Sequence, residues 1–204
     1  MIVFSPLLAR HLQPDLFGHE LAEHELEKGQ EQTLPLNPPQ SIPALLPPQS
    51  LRCNIIRPTL AYLGVNSNAA ENLLLGTLLT LAWLPTDKLG RDGIGPYAIS
   101  AAVHTRLWDD YLALRPDLAS LIRGLASQRR FLQDPHAELA YNLAYATAIA
   151  WMLYQQQADC LDDCADMPAL ARVWQRAYPH LGASARDFIS SWKMTHGDQD
   201  PTSA

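Results

Sequence analysis

Six of the sixteen prolines, Pro35, Pro38, Pro39, Pro43, Pro47 and Pro48, fall between Gln30 and Ser50. A pyrrolidine ring fixes φ and removes a backbone donor, so no continuous helix can run through this stretch. Extended, polyproline-like geometry is what the residues favour. Leu34, Leu36, Ile42, Leu45 and Leu46 punctuate it with apolar anchors. Just upstream, Asp15–Gln32 is rich in Glu, His and Leu and reads as one short amphipathic helix. An arm of this kind buries little on its own. It is either a flexible leader or a strap that orders against a neighbouring subunit, and the regularly placed anchors favour the strap. The chain therefore divides into an arm over 1–50, a helical domain over 51–196 and a free tail over 197–204.

From about Leu51 onward the expected fold class is all-α. Asn68, with Glu71 three residues on, reads as a capping box that opens a helix. That helix runs apolar to Leu84 and stops at Pro85. Thr86–Gly95 holds glycines and charges and reads as a loop. Ala98–Leu114 has helical composition and ends at Arg115-Pro116, after which Asp117 caps a short helix to about Gly124. Asp134-Pro135 is a cap-then-first-position pair opening a long helix through Gln157. Pro168 opens another to Tyr178, and Ser184 another through Trp192. No alternating strand pattern of useful length and no internal repeat is visible.

Composition narrows the functional classes. Apolar residues make up 48% of the 204, enough for one core, and the formal charge of −6 argues against a general nucleic-acid binder. The longest apolar stretches, Leu73–Leu84 and Leu139–Tyr154, fall short of the roughly 20 residues that span a bilayer. The N-terminal ten residues lack the features of a secretory signal, so a soluble protein made in a cytoplasm is expected. Three cysteines do not make a disulfide framework. Cys160 and Cys164 read as thiols in a polar loop between helices, and His19 and His24 are poorly spaced to share a metal. No metal and no cofactor is expected. The five tryptophans read as core anchors, His104 as a hydrogen-bonded structural histidine, and Arg129-Arg130 as a basic pair in a turn, too small for a phosphate track.

Two blocks carry a resemblance. The first joins Leu74-Leu-Gly-Thr-Leu-Leu-Thr-Leu-Ala82 to Ile94-Gly-Pro-Tyr-Ala-Ile-Ser-Ala-Ala-Val-His-Thr-Arg-Leu-Trp-Asp-Asp-Tyr-Leu112. The second is Asn142-Leu-Ala-Tyr-Ala-Thr-Ala-Ile-Ala-Trp151, closing at Tyr154, with a weaker third at Val173-Trp-Gln-Arg-Ala-Tyr178. Together they resemble the lysozyme-like domain of soluble lytic transglycosylases, in the version encoded by tailed bacteriophages. The resemblance implies a helical domain with a sugar cleft. In the family one helix delivers a glutamate that protonates the leaving glycosidic oxygen and then acts as base. The loop after it carries a glutamine and a threonine, and a later helix brings a tyrosine to the cleft.

Here the matching positions are apolar. Leu81 stands where the glutamate is expected, Ala82 where a serine follows, Ala98 at the glutamine, Ala101 at a proline and Val103 at the threonine. Tyr178 remains, beside Pro179 where the family has asparagine. Concerted polar-to-apolar changes in one cleft read as a site converted to packing surface, leaving no catalytic residue; Asp87 and Asp92 in the loop are the fallback acids. The implied protein is a catalytically inactive, structural component of a phage virion, belonging to the tail, connector or capsid. It would be made in the host cytoplasm and contact other virion proteins or copies of itself through the arm. An active muramidase that opens the wall during entry is the alternative. A wall-binding module and an unrelated all-helical host protein also stay open.

Overall fold

In the computed structural model the described residues are 46–85, 92–157, 161, 166–179 and 182–196. All of them belong to one unit, Asn37–Ala204. The N-terminal arm up to residue 45, Asp87, Cys160, Cys164 and the tail over 197–204 lie outside the described residues.

The unit is mostly helical, as the all-α expectation requires. A first helical stretch is α-helical at Pro48–Leu51 (α1), π-wound at Arg52–Ile56 and α-helical again at Arg57–Tyr62 (α2). Pro47 and Pro48, expected in the extended arm, instead start α1. Pro48 occupies the first turn, where a missing N–H removes no helical bond.

The central helix is α3, Asn68–Trp83, whose residues from Ala69 to Leu81 are all buried. A helix apolar all round must be covered on every side. The π-wound segment, α8 (Leu143–Gln156), α9 (Met167–Ala177) and α10 (Ala185–His196) pack against it. Its N-cap is Ser67, which accepts from the Ala70 N–H at 3.2 Å, and not Asn68. Glu71 consequently falls one residue too deep to close a capping box. Its two carboxylate oxygens accept from Arg57 Nε and Nη2 at 2.8 and 2.9 Å, tying α3 to α2. Gly76 is the point of closest approach to α10. A β-carbon there would lie 2.1 Å from Cζ of the buried Phe188.

Between α3 and α4 (Ala101–Arg106) the chain forms a two-residue antiparallel hairpin, β1 (Gly93–Ile94) with β2 (Ile99–Ser100). The expected helix over Ala98–Leu114 therefore begins later. Ser100 caps it, accepting from the Val103 N–H at 3.3 Å, and it continues as a second π-wound segment, Leu107–Leu112. Helix α5, Pro116–Leu125, places Asp117 inside its first turn rather than at the cap. The Arg129-Arg130 pair lies in a short helix, α6 (Gln128–Gln133), not in a turn.

The long helix expected over 134–157 is interrupted. Asp134 Oδ1 accepts from the N–H groups of His136 and Ala137, leading into α7 (Ala137–Tyr141). Asn142 then leaves the helical region and caps α8, its Oδ1 accepting from the Tyr145 N–H at 3.0 Å. Its Nδ2 donates to the Leu125 carbonyl and to Glu138 Oε2. One side chain thus joins the ends of α5, α7 and α8. As expected of core anchors, Trp151, Trp174 and Trp192 are buried; Trp83 is not, being 62% exposed at the end of α3. No helix among the described residues is long and apolar enough to cross a membrane.

Candidate functional site

The residues singled out by sequence fall at the end of α3, in the hairpin, on α4 and at the end of α9. Leu81 is buried in the last turn of α3, part of the hydrophobic core. Ala82, after it, is exposed. The helix stops because Leu84 turns extended ahead of Pro85.

The hairpin turn is tight, with Ala98 N–H donating to Gly95 O at 3.0 Å. Gly95 has φ +68°, and a β-carbon on it would lie 1.9 Å from the carbonyl oxygen of Leu139, so only glycine lets the turn seat on α7. Ala98 has φ +47°, among the described residues the one non-glycine residue with a positive φ. A side chain at this position is held by the turn in a left-handed conformation that L-residues adopt at a cost.

Beneath the hairpin lies a layer of buried hydroxyl groups. Tyr178 Oη donates to the Tyr97 carbonyl at 2.7 Å, and its ring lies 5.5 Å from that of Tyr154. Thr77 donates to the Leu73 carbonyl, so the Tyr154 hydroxyl, 2.6 Å away, is the donor to Thr77 Oγ1. Thr147 Oγ1 lies 3.3 Å from the Tyr97 hydroxyl. Burial pushes the phenols of Tyr97, Tyr154 and Tyr178 upward, keeping all three neutral. These groups bolt α9, α8, α3 and the hairpin together.

A groove of 330 Å³ opens beside this layer, between α4, the end of α8 and the end of α9. Val103 and Tyr178 line it; Leu81 and Ala98 are not among its lining residues. Arg106, Asp110 and Arg176 supply its charges, with Gln156 and Gln157 beside them. Of the fallback acids, Asp92 is exposed at the start of the hairpin. Asp110, the carboxylate within the groove, belongs to the block that carries the resemblance but had not been read as a candidate acid; its place four residues after Arg106 on the same face was the available signal.

A second polar cluster lies behind Trp108. His104 is 1% exposed and makes contacts at both ring nitrogens. Nδ1 is 2.9 Å from Nδ1 of His136, and Nε2 is 2.8 Å from the Tyr145 hydroxyl. Burial first, then the neighbouring His136, holds the His104 imidazole down at about 4, so it is neutral at ordinary pH. This fits the expectation of a hydrogen-bonded structural histidine. Its partner His136 carried no sequence signal, because it is brought in by the turn that interrupts the expected long helix. On the outer side of Trp108 is a shallow groove of 550 Å³, lined also by Ser120, Arg123, Gln128 and Leu132. Among the described residues no group of three or more His, Cys, Asp or Glu side chains is placed to hold a metal ion.

Comparison with known proteins adds no relative: no family model matches the chain, and no curated protein and no solved structure does. What stands is a mostly helical unit in which a buried tyrosine layer ties a hairpin to α3, α8 and α9.

Proposed function

We propose that this chain is a catalytically silent lysozyme-like protein that serves as a structural component of a bacteriophage particle. The observation that carries the reading is Leu81. It stands where the resemblance puts the catalytic acid, and it is buried in the core at the end of α3. A leucine has no proton to deliver, and burial leaves no seat for a carboxylate from elsewhere to take its place. The neighbouring features agree. Tyr178, which matches the tyrosine that the family's later helix brings to the cleft, bonds to the hairpin here, and Val103 lines the groove beside it. Ala98 keeps a costly left-handed backbone although its methyl group has nothing to offer a sugar.

Such a domain is a rigid block with surface to present. The proline-rich arm, with Leu34, Leu36, Ile42 and Leu45, provides extended contact to other virion proteins or to a second copy. The place of action is the virion, after synthesis in the host cytoplasm.

The test is muropeptide release from purified sacculi by the native protein and by a Leu81→Glu, Ala98→Gln double variant. The expected result is silence from the native protein and release by the variant. Release by the native protein would overturn the reading and direct attention to Asp87, Asp92 and Asp110. Circular dichroism of the variant checks that it has folded, because the leucine being replaced is buried.

A further inference from the structure

Among the described residues, four of the eight large apolar side chains that stand exposed fall between Leu114 and Tyr141. One of them, Leu132, is 80% exposed and walls the 550 Å³ groove together with Trp108, Ala119 and Gly124. Apolar surface gathered at a groove is the mark of an interaction site.

The two helices that wall this groove are basic, in a chain whose formal charge is −6. From Pro116 to Gln133 they carry Arg123, Arg129 and Arg130 against the single acid Asp117. Among the described residues none of these three arginines is within ion-pair distance of a carboxylate. The buried Glu138 directs Oε2 to the Ser127 N–H and to Asn142 Nδ2 instead. The Arg123 guanidinium lies over the Phe131 ring at 4.0 Å, and that of Arg130 over the Tyr141 ring at 5.2 Å. Stacking occupies the face of a guanidinium and leaves in-plane N–H groups for a carboxylate. Arg129 and Arg130 sit between Gln128 and Leu132 on α6, two residues that line the groove. The partner that fits is both acidic and apolar.

Residues 15–32 have that chemistry. Asp15, Glu20, Glu23, Glu25, Glu27 and Glu31 stand against the single Lys28, with Leu16, Phe17, Leu21 and Leu26 among them. We propose that the groove between Trp108 and Leu132 receives residues 15–32 of a second copy of this chain. The leucines lie against the apolar wall, and the carboxylates answer Arg123, Arg129 and Arg130. This rests on the reading that the N-terminal arm contacts a second copy, and it names the receiving surface. Each copy owns both halves of the contact, so two copies engage reciprocally and the interface closes as a two-fold pair. Burial of the leucines supplies most of the affinity, and the charges select the partner and steer its approach.

The experiment is sedimentation velocity of the whole chain over a range of concentrations, at low and at high salt. Expected is self-association that salt weakens, because charge pairs at the surface are screened. Leu132→Asp, and separately the pair Arg129→Glu with Arg130→Glu, should each weaken it by about tenfold or more. So should the pair Glu23→Arg with Glu27→Arg. The two charge-reversed chains are then mixed. Acidic residues 15–32 of one meet the native groove of the other, the reversed segment meets the reversed groove, and association returns. A mixture that stays monomeric overturns the proposal. So does native self-association indifferent to Leu132→Asp and to the arginine reversals. If Glu23→Arg with Glu27→Arg still weakens that association, the reading of the arm survives and the groove alone is wrong. A native chain that is monomeric throughout overturns both. Circular dichroism checks the folding of each variant; should a reversed chain not fold, Leu132→Asp decides, and association unchanged by it overturns the proposal.

Discussion

The hydroxyl of Tyr178 donates to the backbone carbonyl of Tyr97 across 2.7 Å, joining residues 81 positions apart in the sequence. That bond fixes the end of α9 to the turn of the hairpin, and with it one wall of the 330 Å³ groove. Removing the hydroxyl in Tyr178→Phe leaves the buried ring in place and the Tyr97 carbonyl without this donor. The expected loss is about 1–3 kcal/mol, the cost of a buried acceptor left unmade. Urea denaturation of the native protein and the variant measures it, and an unchanged midpoint would show that the bond is replaced by water.

Gly76 and Phe188 make a second test. A methyl group at Gly76 would meet the Phe188 ring head-on, so Gly76→Ala is expected to destabilise by about 1–3 kcal/mol through overpacking. Adding Phe188→Leu should recover part of that loss, because the residues share one contact and their effects are not independent. A double variant whose loss equals the sum of the two single losses would mean that α3 and α10 do not cross here.

Ala98 offers a prediction of the opposite sign. Its φ of +47° costs an L-residue about 1–2 kcal/mol, and Ala98→Gly removes that strain. The glycine also frees the unfolded chain, which offsets about 0.4–1 kcal/mol. The net expectation is a gain of roughly 0–1.6 kcal/mol, whereas Ala98→Val is expected to lose stability, because a branched β-carbon tolerates the left-handed region worst. Thermal midpoints of the two variants rank them; a more stable valine variant would mean that the turn is not left-handed.

Stability should also fall on acidification. His104 is held at about 4 in the folded protein, below the ordinary histidine value near 6.5. Between those values the unfolded chain binds the proton and the folded one does not, so stability decreases as pH drops through this window. The contribution is full above the unfolded value and amounts to at most about 3.5 kcal/mol, at roughly 1.4 kcal/mol per pH unit. Urea midpoints from neutral pH down to about 4 measure the slope. In His104→Gln that part of the slope should vanish, and an identical slope in both proteins would refute the assignment.

Much of the framework was legible in the residues. The stop at Pro85 and the start near Pro168 follow from proline chemistry, and the buried helix that ends near Gln157 from apolar density, although its start was expected at Asp134 and lies after Asn142. What was hidden depended on single side-chain bonds. Asn142 reads as an ordinary helix residue until its amide is seen to cap α8 and reach Leu125 and Glu138 at once. Glu71 has capping-box spacing from Asn68, but Arg57, 14 residues away, claims its carboxylate. The hairpin was invisible because strands of two residues carry no period, and the Ser100 cap, not composition, decides where α4 begins. The matched site positions fared unevenly for the same reason. Val103 and Tyr178 share a groove, whereas Leu81 and Ala98 are placed by the core and by a turn.

The burial of Leu81 has a consequence for evolution as much as for chemistry. A leucine enclosed at a helix end contributes about 1.5–3 kcal/mol by leaving water, while a carboxylate in the same enclosure must be desolvated or stay protonated. A glutamate introduced there would have its acidity pushed toward neutral pH, the condition a general acid needs, and would weaken the fold in the same stroke. On the function proposed above, stability and reactivity are thus opposed at one residue. With leucine in that place, selection on the rest of the domain can favour rigidity alone.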